Sequence, residues 1–149
     1  TISILNSAMV NNHINLVLNI EDDMIVYGYE NELIQALINI INNARDAVKE
    51  HVPNDDDKFI FIQTKKIDDK LEISIKDSGG GIPENIIHRI FEPYFTTKHQ
   101  SVGTGIGLSM THKVIIERLN GNILVENQEY EYNGTHYKGA CFKIVFERD

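Results

Sequence analysis

Apolar and polar positions recur along this chain with two different periods. Ile14, Leu16, Leu18 and Ile20 alternate with Asn15, Val17 and Asn19, which predicts a half-buried strand. Beyond Asn31, read as a cap, Leu33, Leu37, Ile40, Ile41, Ala44 and Val48 follow the helical period and predict a long amphipathic helix to about Glu50. Pro53 and Asp55-Asp56-Asp57 make a loop, after which Phe59 to Lys66 and Leu71 to Lys76 predict a hairpin turning at Asp68-Asp69. A second long helix is expected from Gly105 to Leu119, with Leu108, Thr111, Ile115 and Leu119 on one side and Gly121 as its stop. Asn122 to Asn127 and Cys141 to Glu147 predict two closing strands, the latter alternating through Phe142, Ile144 and Phe146. Residues 1–10 hold a short apolar pattern compatible with a helix. Residues 82–103 carry only a short helical piece near Glu84 to Phe91, and so long an aperiodic stretch in a compact domain reads as a functional lid or a disordered segment. The sum, about five strands and three helices, predicts one mixed sheet covered by helices.

Composition narrows the classes of partner. The 149 residues are 42% hydrophobic and 24% charged, which suits a single domain over residues 1–149 with a real core. A formal net charge of −8 argues against nucleic acid or acidic membranes as general partners, so an anionic ligand needs local help from a lysine, a metal ion or a helix N-terminus. The one cysteine, Cys141, has no partner for an internal disulfide, which fits a reducing cytoplasm. No apolar run approaches the ~18 residues needed to span a bilayer, so no membrane contact is expected of this domain. The chain begins at Thr1 without a methionine, which suggests a domain excised from a larger protein.

Three stretches carry candidate chemistry. The first is Asp77-Ser78-Gly79-Gly80-Gly81-Ile82-Pro83, where a carboxylate at a strand end stands beside bare glycine backbone that a flat ligand can approach closely. Taken alone, it reads more readily as an acidic turn, since Asp and Gly dominate turns. The second is the polar stripe of the first long helix, Glu32, Gln35, Asn39, Asn42, Asn43, Asp46 and Glu50. Solvated faces favour Glu and Lys, whereas this one has three poor helix formers within five residues; Asn39 and Asn43, one turn apart, can present neutral oxygens to a hard cation. The third is Gly103-Thr104-Gly105-Ile106-Gly107-Leu108 at the start of the second helix, where uncovered amides suit phosphates; a flexible glycine-rich loop explains it as well. Between the glycine boxes, Phe91 is read as pinning its loop to the core, and Lys98 is either a cation for a terminal phosphate or a solvated surface lysine.

The order of these stretches is the specific signal. The chain resembles the ATP-binding catalytic domain of two-component sensor histidine kinases, within the GHKL group shared with gyrase B, heat-shock chaperone ATPases and the mismatch-repair protein MutL. Asn39 to Ala47 is similar to that family's N box, Asp77 to Ile82 to its G1 box, Phe91 to Lys98 to its F box and Gly103 to Leu108 to its G2 box. The resemblance covers residues 14–147. It implies an α+β fold, the two-layer Bergerat-type ATP-binding sandwich with its mixed sheet covered by helices on one face, and ATP and Mg2+ as ligands. Asp77 would accept from the adenine amino group, Asn43 would hold magnesium, and the catalytic set would be Asn39, Asn43 and Lys98. Gly79, Gly81, Ile82, Tyr94, Phe95, Thr97, Lys98, Gly103, Thr104, Gly105, Ile106, Gly107 and Leu108 would line the nucleotide under a mobile lid.

The implied activity is transfer of the γ-phosphoryl group to a histidine on a separate dimerisation domain, with a response regulator downstream and this piece itself monomeric. None of the chain's six histidines sits in the acceptor motif, a histidine followed by an acidic residue on a long helix. The rivals are a clamp ATPase and an anti-sigma-type serine kinase, both of which carry Glu where this chain has Asn39. Two departures stand out. Position 46, often lysine in the family, is Asp, and the stretch Gln128 to Lys138 with its three tyrosines exceeds the usual connection and has no assigned role.

Overall fold

The computed structural model describes residues 14–19, 30–92 and 107–147. Five strands form one sheet: β1 (Asn15–Asn19), β2 (Phe59–Ile67), β3 (Lys70–Asp77), β4 (Gly121–Tyr132) and β5 (Thr135–Glu147). Their order across the sheet is β1-β2-β3-β5-β4; β1 runs parallel to β2 and every other pair is antiparallel. Two helices are described, α1 (Glu30–His51) and α2 (Gly107–Lys113). The expected α+β sandwich with a mixed five-stranded sheet is what the molecule has. The third expected helix, over residues 1–10, lies outside the described residues.

The two periods read from the sequence explain this arrangement. On β3, Leu71, Ile73, Ile75 and Asp77 alternate inward, and their partners Phe146, Ile144 and Phe142 on β5 extend the same apolar sheet face. Helix α1 lays Ala36, Ile40, Ile41, Ala44 and Val48 against that face, all of them buried. Burying each of the isoleucine and valine side chains contributes about 1.5–3 kcal/mol before entropy is counted, and each alanine methyl about 0.8 kcal/mol. Lys49 and His51 in the last turn of α1 suit its negative dipole end. Phe91 reaches the same core, its ring 5.0 Å from His112 and 6.2 Å from Phe142, so it does pin its loop.

Three boundaries differ from expectation. Helix α1 already includes Asn31, which therefore is not its cap. After α2 the chain continues over Val114–Arg118 with the wider π spacing, and Leu119 N–H donates to the Val114 carbonyl at 3.1 Å. The stop is Asn120, at φ 53°, and not Gly121, which opens β4. Asparagine tolerates the left-handed conformation because its short amide can bond locally. Gly121 is small for another reason: a Cβ there would stand 2.7 Å from the Phe146 ring.

The third difference is the longest. Residues 128–138 are no loose connection: β4 and β5 continue paired through Tyr132 and Thr135, closed by Asn133 (φ 51°) and Gly134 (φ 81°). Two successive positive φ values make the tight turn that suits the strands' twist. The β3–β5 pairing ends at Lys76 and Cys141, and beyond it the hairpin folds over the sheet face away from α1. Two strands separate β4 from β2, a distance of roughly 14 Å in a flat sheet. Yet Tyr132 stands 4.9 Å from Phe61 and 5.1 Å from Phe59, ring centre to ring centre. Tyr130 and Tyr137 complete the cluster, and Lys76 Nζ lies 4.0 Å above the Tyr130 ring.

Candidate functional site

Asp77 follows Leu71, Ile73 and Ile75 in the inward row of β3, so strand alternation alone places its carboxylate in the core, 3% exposed. Its Oδ1 accepts from the backbone N–H of Gly79 at 2.9 Å and of Ala140 at 3.2 Å. Among the described residues no hydrogen bond reaches Oδ2. Burial raises its pKa from 3.8 to about 6, against the lowering effect of the two backbone donors and of His51 nearby. The site is therefore a carboxylate that is charged at neutral pH at a cost, with one oxygen that no described residue engages.

The glycines after Asp77 each answer to a neighbour. A Cβ on Gly79 would come within 3.0 Å of Ala47, so the loop lies directly on α1. Gly80 and Gly81 take φ of 93° and 86°, which side-chain-bearing residues rarely adopt. Ser78 Oγ donates to the Asp57 carbonyl at 2.7 Å and accepts from Phe59 N–H at 2.9 Å, fastening the start of the loop to β2. Ile82 packs on the core at the far end.

The asparagine stripe of α1 faces α2. Asn39 Nδ2 donates to Thr111 Oγ1 at 3.1 Å, and Asn39 Oδ1 accepts from Gln35 Nε2 at 3.3 Å. Thr111, placed by its period on the apolar side of α2, is fully buried with its hydroxyl engaged there. Arg118 reaches back to Glu32 at 3.2 Å. Asn39 thus joins the two helices. Asn43, one turn on, is half-buried and carries an amide oxygen. Among the described residues no group of three His, Cys, Asp or Glu side chains could hold a metal. A single amide oxygen suits magnesium that shares its remaining ligands with phosphate oxygens and water, so the donor set fits that ion.

The structure therefore brings Asp77, Gly79, Gly81 and Ile82 into one loop that touches α1 at Ala47, one turn beyond Asn43. Leu108 is half-buried against the core, and Gly107 opens α2. Tyr94, Phe95, Thr97, Lys98, Gly103, Thr104, Gly105 and Ile106 lie outside the described residues.

Four residues of this site were not singled out in the sequence. Gly139 crosses the end of β3 so closely that a Cβ would stand 1.7 Å from the Asp77 carbonyl oxygen. Tyr130 Oη donates to that same oxygen at 2.6 Å. The Lys138 carbonyl accepts from Gly80 N–H at 2.9 Å, and Asn127 bonds the backbone of Ile82. All four belong to the β4–β5 hairpin. One signal was available: Asn127 is a polar residue in the inward row Ile123, Val125, Asn127.

Residues 28–149 match the family described as histidine kinase-, DNA gyrase B-, and HSP90-like ATPase. Sporulation kinase E of Bacillus subtilis is 37% identical over 147 residues, which are 97% of this chain and 18% of that protein. The two-component sensor PprA of Pseudomonas aeruginosa is 36% identical over 107 residues, 70% of this chain and 11% of that protein. The chain thus spans less than a fifth of these curated relatives. The nucleotide-free catalytic domain of histidine kinase ThkA superposes with a TM-score of 0.78 at 28% identity, covering 98% of this chain and 86% of that one. Strand order, the buried strand-end aspartate and the family match agree: the chain belongs to the histidine kinase-, DNA gyrase B-, and HSP90-like ATPase family.

Proposed function

We propose that this chain is the catalytic domain of a two-component histidine kinase, binding Mg-ATP and passing the γ-phosphoryl group to a histidine on a separate dimerisation domain. The observation that carries the reading is Asp77, a buried carboxylate at a strand end with one oxygen engaged by none of the described residues and bare glycine backbone beside it. Such an acceptor takes a hydrogen bond from adenine's amino group and repels guanine's carbonyl oxygen. In this reading Asn43 holds the ion, and Lys98, Gly105 and Gly107 attend the phosphates. When bound, magnesium neutralises charge on the phosphate oxygens, and the protein's own part is positioning. The γ-phosphorus–oxygen bond to ADP breaks as a phosphorus–nitrogen bond forms to the acceptor imidazole, whose own lone pair attacks. No general base is required.

Asn39 favours transfer over hydrolysis. An amide cannot take a proton from water, and general-base help contributes ~10²–10⁴-fold to such rates. Its bonds to Thr111 and Gln35 give it a different role, joining the helices. The partners in this reading are the histidine-bearing domain and a response regulator, in the cytoplasm, with this piece monomeric. Among the described residues no helix is long and apolar enough to cross a membrane.

The test is to titrate the chain with ATP and GTP, then incubate it with labelled ATP alone and with a histidine-bearing hairpin domain. ATP should bind and GTP should not, phosphate release should stay near background, and label should appear only on the added domain. Equal binding of both nucleotides, or brisk hydrolysis indifferent to the acceptor, would overturn the reading.

A further inference from the structure

The long β4–β5 hairpin and the loop from Gly79 to Ile82 meet at one side chain that the proposed chemistry leaves unused. Asn127 Oδ1 accepts from Ile82 N–H at 2.8 Å, and its Nδ2 donates to the Ile82 carbonyl at 2.7 Å. This is the two-bond pairing that a neighbouring strand residue would offer, supplied instead by a carboxamide. A second Nδ2 bond runs to Glu84 Oε1 at 3.1 Å. Asparagine suits the place because it combines an acceptor and two donors on a short stem; aspartate lacks the donors and glutamine is a methylene longer.

The loop needs such a fastening. Gly80 and Gly81 both hold positive φ, a choice that glycine permits but does not enforce. Three of the four backbone N–H groups from Gly79 to Ile82 are tied down, by Asp77, the Lys138 carbonyl and Asn127. Two of those three partners come from the hairpin. The fit leaves no slack, since a Cβ on Gly81 would stand 2.7 Å from Asn127 Oδ1. The pairing spans 45 positions in sequence, so no local propensity sets it.

We propose that Asn127 is a positioning residue for nucleotide binding, fixing the bare Gly79–Ile82 backbone relative to Asp77 so that a flat base can lie on it. The proposal rests on the nucleotide-binding reading above. It also gives the extended hairpin a role, since its Lys138 carbonyl and Tyr130 hydroxyl hold the same loop and strand end.

The experiment uses the whole chain and Mg-ATP as the probe, titrated calorimetrically at a temperature where melting curves show every variant folded. Asn127→Asp keeps the acceptor for Ile82 N–H, loses both donors and sets a carboxylate against Glu84, so ATP dissociation should rise about 10-fold. Adding Glu84→Gln relieves the carboxylate–carboxylate repulsion but leaves the Ile82 carbonyl without its donor, so affinity should recover only in part and stay at least about 3-fold below that of the unaltered chain. Glu84→Gln alone should bind like the unaltered chain, because its amide oxygen still accepts from Asn127. Should the Asp variant not fold, Asn127→Ala takes its place and should weaken binding by a similar factor. A folded Asn127 variant with unchanged ATP affinity overturns the proposal. So does an Asn127→Asp, Glu84→Gln double variant that binds ATP as tightly as the unaltered chain, since it still lacks the donor to the Ile82 carbonyl. Failure of the unaltered chain to bind ATP is a distinct result, which overturns the nucleotide-binding reading itself.

Discussion

The two hairpins of this sheet are built alike and end differently. β2–β3 turns at Asp68, β4–β5 at Asn133 and Gly134, each with residues in the left-handed region. At the first tip Lys65, Lys66, Ile67, Asp68, Asp69 and Lys70 are all exposed. At the second, Tyr130, Tyr132 and Tyr137 lie against Phe59 and Phe61, and the tip folds onto the sheet. The turns do not account for this difference; what the strands carry past the end of the shared ladder does. Charged residues keep a tip hydrated, whereas aromatic residues gain by finding apolar surface, and the nearest such surface is β2. The free tip can change with little consequence. The folded one is tied through Gly139, Tyr130 and Asn127 to the strand end and loop that carry Asp77.

That contrast can be broken at its closest contact. Gly139→Ala places a methyl group against the Asp77 backbone carbonyl, which is held by the pairing of Asp77 with Ile60 on β2 and by the Tyr130 hydroxyl, and should cost about 3–4 kcal/mol. Asp69→Ala at the free tip should stay within about 0.5 kcal/mol. Urea denaturation of the two variants measures both, and equal stabilities would show that the hairpin crossing is not tight.

Asp77 gives the next effect, and its sign runs against that of most carboxylates. Its folded pKa of about 6 exceeds the ordinary 3.8, so between those values the folded state binds more protons than the unfolded one. Its contribution therefore grows as pH falls from about 6 to about 4 and is flat on either side. Keeping the buried carboxylate charged at neutral pH costs about 3 kcal/mol, the free-energy equivalent of a pKa raised from 3.8 to about 6. Asp77→Asn, whose amide oxygen can still accept from Gly79 and Ala140, should be more stable than the unaltered chain at pH 7.5, with the gap closing by about pH 4. ATP affinity should fall in the same variant by one to two decades, about 1.5–3 kcal/mol. A variant less stable at pH 7.5 would mean that the carboxylate is held by partners and not strained by burial.

The smallest expected effect isolates the aromatic cluster. Tyr132→Ala removes the ring that touches both Phe59 and Phe61 and should cost about 2 kcal/mol, while Ile67→Ala at the free tip should cost under about 0.5 kcal/mol. Matched thermal melts decide it. If the two variants melt together, the second tip is as free as the first.

Much of this was legible before any coordinates. The period of α1, the β2–β3 hairpin and the inward row ending at Asp77 follow from spacing, because a helix or strand shows one face at fixed intervals. The stretch Gln128 to Lys138 was legible too, since Asn133-Gly134 between alternating tyrosines is a strong hairpin signal that its unusual length obscured. The Asn120 stop was hidden by the more usual glycine beside it.

By itself, then, the chain's pattern determined which residues face inward, and therefore that a carboxylate would stand at the end of an apolar row beside three glycines. It could not determine what holds them. Asn127 reaches Ile82 across 45 positions, and Tyr130 reaches Asp77 across 53. Both bonds depend on the β3–β5 register and on where the long hairpin leaves the sheet. Spacing in sequence encodes direction within one element, whereas a bond between elements exists only once both have been placed. That placement comes from packing, which sums weak contacts over the whole core and has no local mark.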